Sequence, residues 1–294
     1  MRRHRAVVAL VVLAAGSVAL QAARDARYGT IADDARMMYL QSGEVAGRLA
    51  LEYDALAADL YWIRAVLHYG GDRLHDPGTG RYELLYPLLD LTTSLDPLFQ
   101  IAYRFGAVFL AEPPPGGPGR LDQAETLLKK GMAASPGKWQ YPHDLGFLYY
   151  WQARDYETAA SWFQHAAGIP GAPEWLGPVA AGMLARGGNR EQSRDLLMRI
   201  LQDADHDWLR QVATRWLRQL DALDQMDRLD EMLAEYVRRA GRRPASWLEL
   251  IRAGWLPGIP ADPAGYPYTL NTTWSTTRLS PDSPLNPLPE ELAR

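Results

Sequence analysis

The stretch Lys138–Pro170, KWQYPHDLGFLYYWQARDYETAASWFQHAAGIP, decides the fold. Its spacing predicts two antiparallel helices. Leu145, Gly146 and Tyr149 fall on one face of the first, and Ala159, Phe163 and Ala166 on one face of the second. The small residues let two backbones approach, while the large ones fill the space beside the contact. Pro170 ends the second helix, because its ring removes a donor and clashes with the turn before it.

Working outward, the same steps recur. Leu85, Leu89, Thr92 and Pro97 follow one another by the steps that separate Ala124, Leu128, Gly131 and Pro136. In the central hairpin the corresponding residues are Ala159, Phe163, Ala166 and, one residue early, Pro170. From Leu85 to Ala124 is 39 residues, from Ala124 to Ala159 is 35, and from Ala159 to Ser193 is 34. The surplus in the first interval is the non-helical run EPPPGGPG, after which Asp122 and Glu125 fit an N-cap and N3 pair. Before it, Leu51–Gly71 and Arg81–Pro97 form a divergent pair separated by HDPGTG. A fourth pair carries Trp175 and Gly187, then Ser193, Leu197 and Ile200. A fifth, Trp208–Leu220 and Leu223–Ala240, keeps amphipathic spacing without the small residues and reads as a cap.

A helical hairpin recurring at about 34 residues resembles the tetratricopeptide repeat. The likeness covers Leu51–Ala240, with pairs at about 51–97, 98–136, 138–170, 173–205 and 207–240. It implies an all-α fold, a right-handed solenoid of helical hairpins. In that family the first helices of successive repeats line a concave groove that receives a peptide or a partner helix. Carried onto this chain, the groove residues are Tyr103, Phe147, Tyr150 and Trp151, with Tyr61, Trp62 and Tyr69 in the first pair. The competing reading of each is core packing, the commoner fate of an aromatic at helical spacing.

Ahead of the repeats, Arg2, Arg3 and Arg5 precede an uncharged run, Ala6–Ala23. Eighteen residues make about 27 Å of helix, just enough to span a bilayer. Basic residues on the short side favour keeping that side in the cytoplasm. The expectation is a single-pass inner-membrane anchor over 1–27 with residues after Arg24 in the periplasm, the alternative being a cleaved signal peptide. Residues 28–50 read as a stalk helix with Ile31, Ala35, Met38, Leu40, Val45 and Leu49. Beyond Ala240 the texture changes. A short helix, Ala245–Ala253, leads into a Pro/Gly-rich run, and the final SPDSPLNPLPEELAR is expected to be flexible or draped on the surface. Within residues 241–294, Asp262-Pro263-Ala264-Gly265-Tyr266-Pro267-Tyr268 resembles the DPWGNPY-like stretch of type II secretion major pseudopilins, with Ala264 and Tyr266 replacing its Trp and Asn. The same residues favour tight turns on physical grounds alone. Asn271-Thr272-Thr273 matches a glycosylation sequon.

A chain of 294 residues with 47% hydrophobic and 22% charged residues has the apolar content for a sizeable core. Its net charge of -4 gives no general attraction to phosphate backbones, which argues against nucleic acid. It has no cysteine, so disulfides and thiolate chemistry are excluded. His68, Asp72 and His75 would share a face of one continuous helix and offer donors to a divalent metal. Gly70 and Gly71 are expected to break that helix, leaving solvated polar residues at its end. Asp221 with Asp224, and Asp227 with Asp230 and Glu231, read as solvated charge runs. No catalytic motif is present and nothing calls for a cofactor. The expected function is a membrane-anchored scaffold that binds a protein segment in an aromatic groove and assists a bacterial envelope, secretion or pilus-type complex. The alternative is an envelope glycan binder or hydrolase using the same aromatics to stack sugars.

Overall fold

A computed structural model describes residues 13–20, 22–23, 47–48, 50–75 and 82–289. The chain divides into two compact units, Met1–Leu127 and Leu128–Arg294. The described residues are mostly helical, with one small antiparallel hairpin near the C-terminal end.

The first unit holds α1 (Asp54–His75), a 3-10 turn at Tyr82–Leu84, α2 (Leu85–Leu95), α3 (Gln100–Ala111) and the start of α4 (Leu121–Ala134). Ala58 and Ala65 let α1 lie close against its neighbours, and α2 buries Leu85, Leu88 and Leu89. Gly106 is required by a close approach: a Cβ there would lie 2.8 to 3.0 Å from methyl carbons of Leu89 and Leu127. α1 does not break at Gly70 and Gly71 but continues to His75. Each glycine costs a helix about 1 kcal/mol, which is less than the burial of a large apolar side chain returns. Asp122 sits inside the first turn of α4, paired with Arg120 at 2.7 Å, and does not cap it.

The second unit continues with α5 (Gln140–Leu148), a π turn (Tyr149–Ala153), α6 (Tyr156–Ala167), α7 (Leu176–Arg186), α8 (Arg190–Asp203) and α9 (Asp207–Ala240). Pro142 and Pro178 each stand third in their helices, where the N–H has no intrahelical partner to lose. Asp155 caps α6 through Thr158 N–H and Asn189 caps α8 through Gln192 N–H, the short polar side chains that N-termini favour. Phe163, Ala159 and Ala166 form one cluster with Leu176 and Ala180 of α7.

The hairpin read over Trp208–Ala240 is instead one helix of 34 residues. No Gly or Pro interrupts it, and Gly241 ends it at φ 67°, its N–H donating to Val237 O. The length serves two cores. The N-terminal half puts Ala213, Leu220 and Leu223 against Ala181, Ala185 and Leu197. The C-terminal half carries Leu233 and Tyr236 into a cluster with Trp247, Leu250, Tyr268, Leu279 and Leu285. The acidic run on α9 is solvated at Asp221, Asp227 and Glu231, as read from the sequence, but it also carries ion pairs. Arg190 pairs with Asp224 and Asp227, and Arg194 with Asp221 and Asp224, all within 3.0 Å, which fastens α8 to α9. Burial opposes the Asp224 charge, but the two guanidiniums outweigh it and hold its carboxyl below the usual range.

The Pro/Gly-rich tail is ordered against α9. Ser246 caps α10 (Trp247–Arg252), and Trp247 Nε1 donates to Tyr268 O at 2.8 Å. Asp262 is buried and gathers its own turn, accepting Ala264 N–H at 2.8 Å and Tyr266 N–H at 3.0 Å, with Gly265 at φ 89°. β1 (Thr269–Asn271) pairs with β2 (Thr276–Arg278) in the register Thr269 to Arg278. Asn271 of the sequon holds the connecting turn by accepting Thr273 and Trp274 N–H groups. Asp230 of α9 accepts Thr277 N–H at 2.6 Å. Burial pushes the Tyr268 hydroxyl well above its ordinary range while it donates to Gln225 Oε1 at 2.9 Å.

The helix expected over Ala6–Ala23 lies in part outside the described residues, as do most of the 28–50 stalk and residues 290–294. Residues 13–20 are helical. Among the described residues, no helix is long and apolar enough to cross a membrane.

Candidate functional site

The second unit carries a surface built from its odd-numbered helices. At the end of α5 the backbone widens into the π turn, which Arg154 (φ 54°) and the Asp155 cap then close. Such turns insert an extra residue into the helical ladder and recur at functional sites. Here the turn gathers three aromatics. Phe147 and Trp151 lie with rings parallel within 4° and centroids 6.3 Å apart, and Tyr150 meets both at 6.3 Å. Trp151 is 62% exposed and Phe147 44%, so their faces are open to a ligand.

Tyr150 turns the other way, towards α7. Arg186 donates to its hydroxyl at 3.0 Å and places its guanidinium 5.6 Å from the ring centroid. Beyond this pair opens a cavity of about 420 Å³. One wall is the face of α7 formed by Val179, Gly182, Met183 and Arg186, at the steps that align side chains on a helix. The opposite wall is Arg215, Trp216 and Gln219 of α9. Gly182 makes the shape possible, because a Cβ on it would collide with the six-membered ring of Trp216. Two guanidiniums and no carboxylate line the cavity among the described residues.

The third wall is a piece of the chain itself, Pro287–Pro289. Gln219 is buried and both of its amide protons are used: Nε2 donates to Leu285 O at 2.7 Å and to Pro287 O at 2.8 Å. Arg215 donates to Asn286 O at 2.7 Å. Three successive carbonyls of an irregular segment are thus held by side chains of α9. Such contacts read the main chain and are indifferent to its side chains.

The sequence-derived groove residues separate into two groups. Phe147, Tyr150 and Trp151 come together as described. Tyr103 is fully buried, its hydroxyl donating to Thr93 O at 3.3 Å, and so belongs to the core of the first unit. Tyr61 and Tyr69 are also buried, at 7% and 8% exposure. Tyr69 stacks on Phe109 with centroids 4.4 Å apart, and Trp62, half-buried, meets Phe99 and Phe109 at about 6 Å. These four fill space between helices and leave no open ring face of the kind Trp151 presents. The residues that sequence reasoning missed are Met183, Arg186, Arg215 and Trp216. The signal for the first two was the spacing of Val179, Met183 and Arg186; nothing local marks the pairing of Gly182 with Trp216.

His68 is buried, and the continuous α1 does put His68, Asp72 and His75 on one helix. The side chains of Asp72 and His75 lie outside the described residues, and among the described ones no group of acidic residues and histidines is arranged to hold a metal ion. Comparison of the chain with protein-family models, with curated proteins and with solved structures finds no match.

Proposed function

We propose that the second unit is a peptide-binding module in which α5, α7 and α9 act as the groove-lining first helices of a tetratricopeptide-like array. The observation that carries this reading is the grip of Gln219 and Arg215 on the carbonyls of Leu285, Asn286 and Pro287 beside an open cavity. The surface already holds one length of irregular chain by its backbone. The neighbouring apolar patch and Arg186 suit a second segment with a large apolar side chain and a carboxylate.

The wider reading is a scaffold held at a bacterial inner membrane by Ala6–Ala23, facing the periplasm and serving a secretion or pilus-type assembly. It rests on the arginines before an uncharged run and on the Asp262–Tyr268 stretch. Alkaline extraction of membranes tests the anchor: release of the chain would count against it.

The groove is tested by selecting short peptides from a display library on the full chain and titrating the selected ones. Placing a charge in the apolar wall with Met183→Glu should weaken binding by about tenfold or more, or about 1.4 kcal/mol. Selection of no peptide, together with retention of the protein on sedimented peptidoglycan in a Trp151-dependent way, would replace this reading with the glycan-binding one.

A further inference from the structure

In the first unit, α1 presents two faces that its fold does not require together. Ala58, Ala65, Tyr61 and His68 are turned inward. On the outer side, Leu56, Leu60, Ile63, Leu67 and Leu74 are 58%, 54%, 51%, 64% and 79% exposed. They follow one another by four, three, four and seven residues, and Gly70 divides the last step into three and four. This is an uncharged 3-4 repeat maintained over the length of the helix, the pattern of a seam that packs against another helix.

We propose that this face is an isologous interface between two copies of the chain, with the two α1 helices parallel and in register. The first support is size. The five outward α1 side chains, at on the order of 100 Å² each, amount to about 500 Å² per copy or about 1,000 Å² for the pair, the area that a specific interface needs to clear. The second support is charge. With Leu56 and Ile63 at d and Leu60 and Leu67 at a, Asp59 occupies g and Arg64 the following e position. In a parallel pair a g residue faces the e residue five positions on in its partner, so Asp59 meets Arg64 of the other copy twice across the two-fold axis. The chain thus carries complementary charges at positions that the parallel register brings together, Arg64 also lying over the Tyr61 ring of its own chain at 5.4 Å.

The natural chain has no cysteine, so single-cysteine variants of the full chain report proximity without background. In a parallel in-register seam, a and d residues face their own copies. Leu60→Cys and Leu67→Cys should each give disulfide-linked dimer as the major species under mild oxidation in non-ionic detergent, whereas Ala55→Cys, exposed on the same helix but off the seam, should stay monomeric. In sedimentation equilibrium of the uncrosslinked chain, Asp59→Arg should raise the dimer dissociation constant about tenfold, and Asp59→Arg with Arg64→Asp should restore it. The proposal is overturned by a wild-type chain that is monomeric at every concentration, which would mean that the face is covered by other residues of the same chain or by detergent. Equal crosslinking of all three cysteine variants, or failure of the charge swap to restore association, would also overturn it.

Discussion

Gly146 offers a sharp test of the packing, because the sign of a small substitution is at stake. In an exposed helix, Gly→Ala stabilises by about 1 kcal/mol, since alanine has less backbone freedom to lose. At Gly146 the added Cβ would lie 3.1 Å from Ala159 O and 3.1 Å from two carbons of the Phe163 ring. Neither neighbour can yield: one is a backbone carbonyl inside α6, and the other belongs to a ring only 3% exposed. Overpacking of this kind costs about 1 to 3 kcal/mol, so Gly146→Ala should be neutral to destabilising by about 2 kcal/mol. Gly71→Ala is the control: it also stands inside a helix, but its added Cβ has nothing within 4 Å. Gly71→Ala should therefore be stabilising by up to about 1 kcal/mol. In thermal unfolding of the full chain, Gly146→Ala should melt at or below wild type, at about 2 to 4 °C per kcal/mol for a unit of this size, and Gly71→Ala at or above it. A Gly146→Ala protein stabilised by about 1 kcal/mol would show that α5 and α6 do not approach as closely as described.

Phe163→Ala should cost about 3 to 5 kcal/mol as a buried large-to-small change, whereas Trp151→Ala, at an exposed position, should stay within about 0.5 kcal/mol in the same melt. Gln219→Ala removes the donor to two carbonyls and should cost about 1 to 3 kcal/mol, with hydrogen exchange accelerating over residues 283–289 before the rest of the unit; uniform acceleration would contradict the strap of contacts on α9. Glu249 accepts Ala245 N–H, the Tyr236 hydroxyl and an Arg242 ion pair, in that order of effect, which lowers its carboxyl from 4.5 to about 2. A group whose pKa is depressed on folding stabilises above its unfolded value, so this contribution should be intact above about pH 4.5 and fade as the pH falls towards 2. Glu249→Gln should accordingly lower the melting temperature at neutral pH and make little difference near pH 2.

The central hairpin was legible because Gly146, Ala159 and Phe163 state their contact in one contiguous stretch. Asp155, Asn189 and Gly241 carry equally short-range helix-end signals, which the sequence reading above did not use. What the sequence hid depended on distant partners. α9 reads as two helices if repeat length is imposed on it, yet between Leu220 and Leu223 there is nothing to break a helix. The tail reads as flexible or draped by composition, which does not choose between the two, because its order comes from Gln219, Arg215 and Gln225, which stand more than 40 residues away. The loop after α3 likewise makes contacts that its composition does not announce. Deleting residues 113–117 would remove a buried Gly117 and disturb the bonds Gly119 N–H to Glu112 O and Arg120 N–H to Leu110 O, a cost that chain length alone does not express. The aromatics of the first pair were ambiguous in principle, since the spacing that lines a groove also fills a core. Burial assigned Tyr103, Tyr61 and Tyr69 to the core.

The central claim is that the face shared by Tyr150, α7 and α9 receives a segment of another protein. It is tested most directly by titrating one selected peptide into wild type, Met183→Glu and Arg186→Ala full chains while recording the melting temperature of each. The account predicts that both variants lose about tenfold or more in affinity and melt within a few degrees of wild type. Unchanged affinity in both, with the peptide still bound and the fold intact, would contradict it.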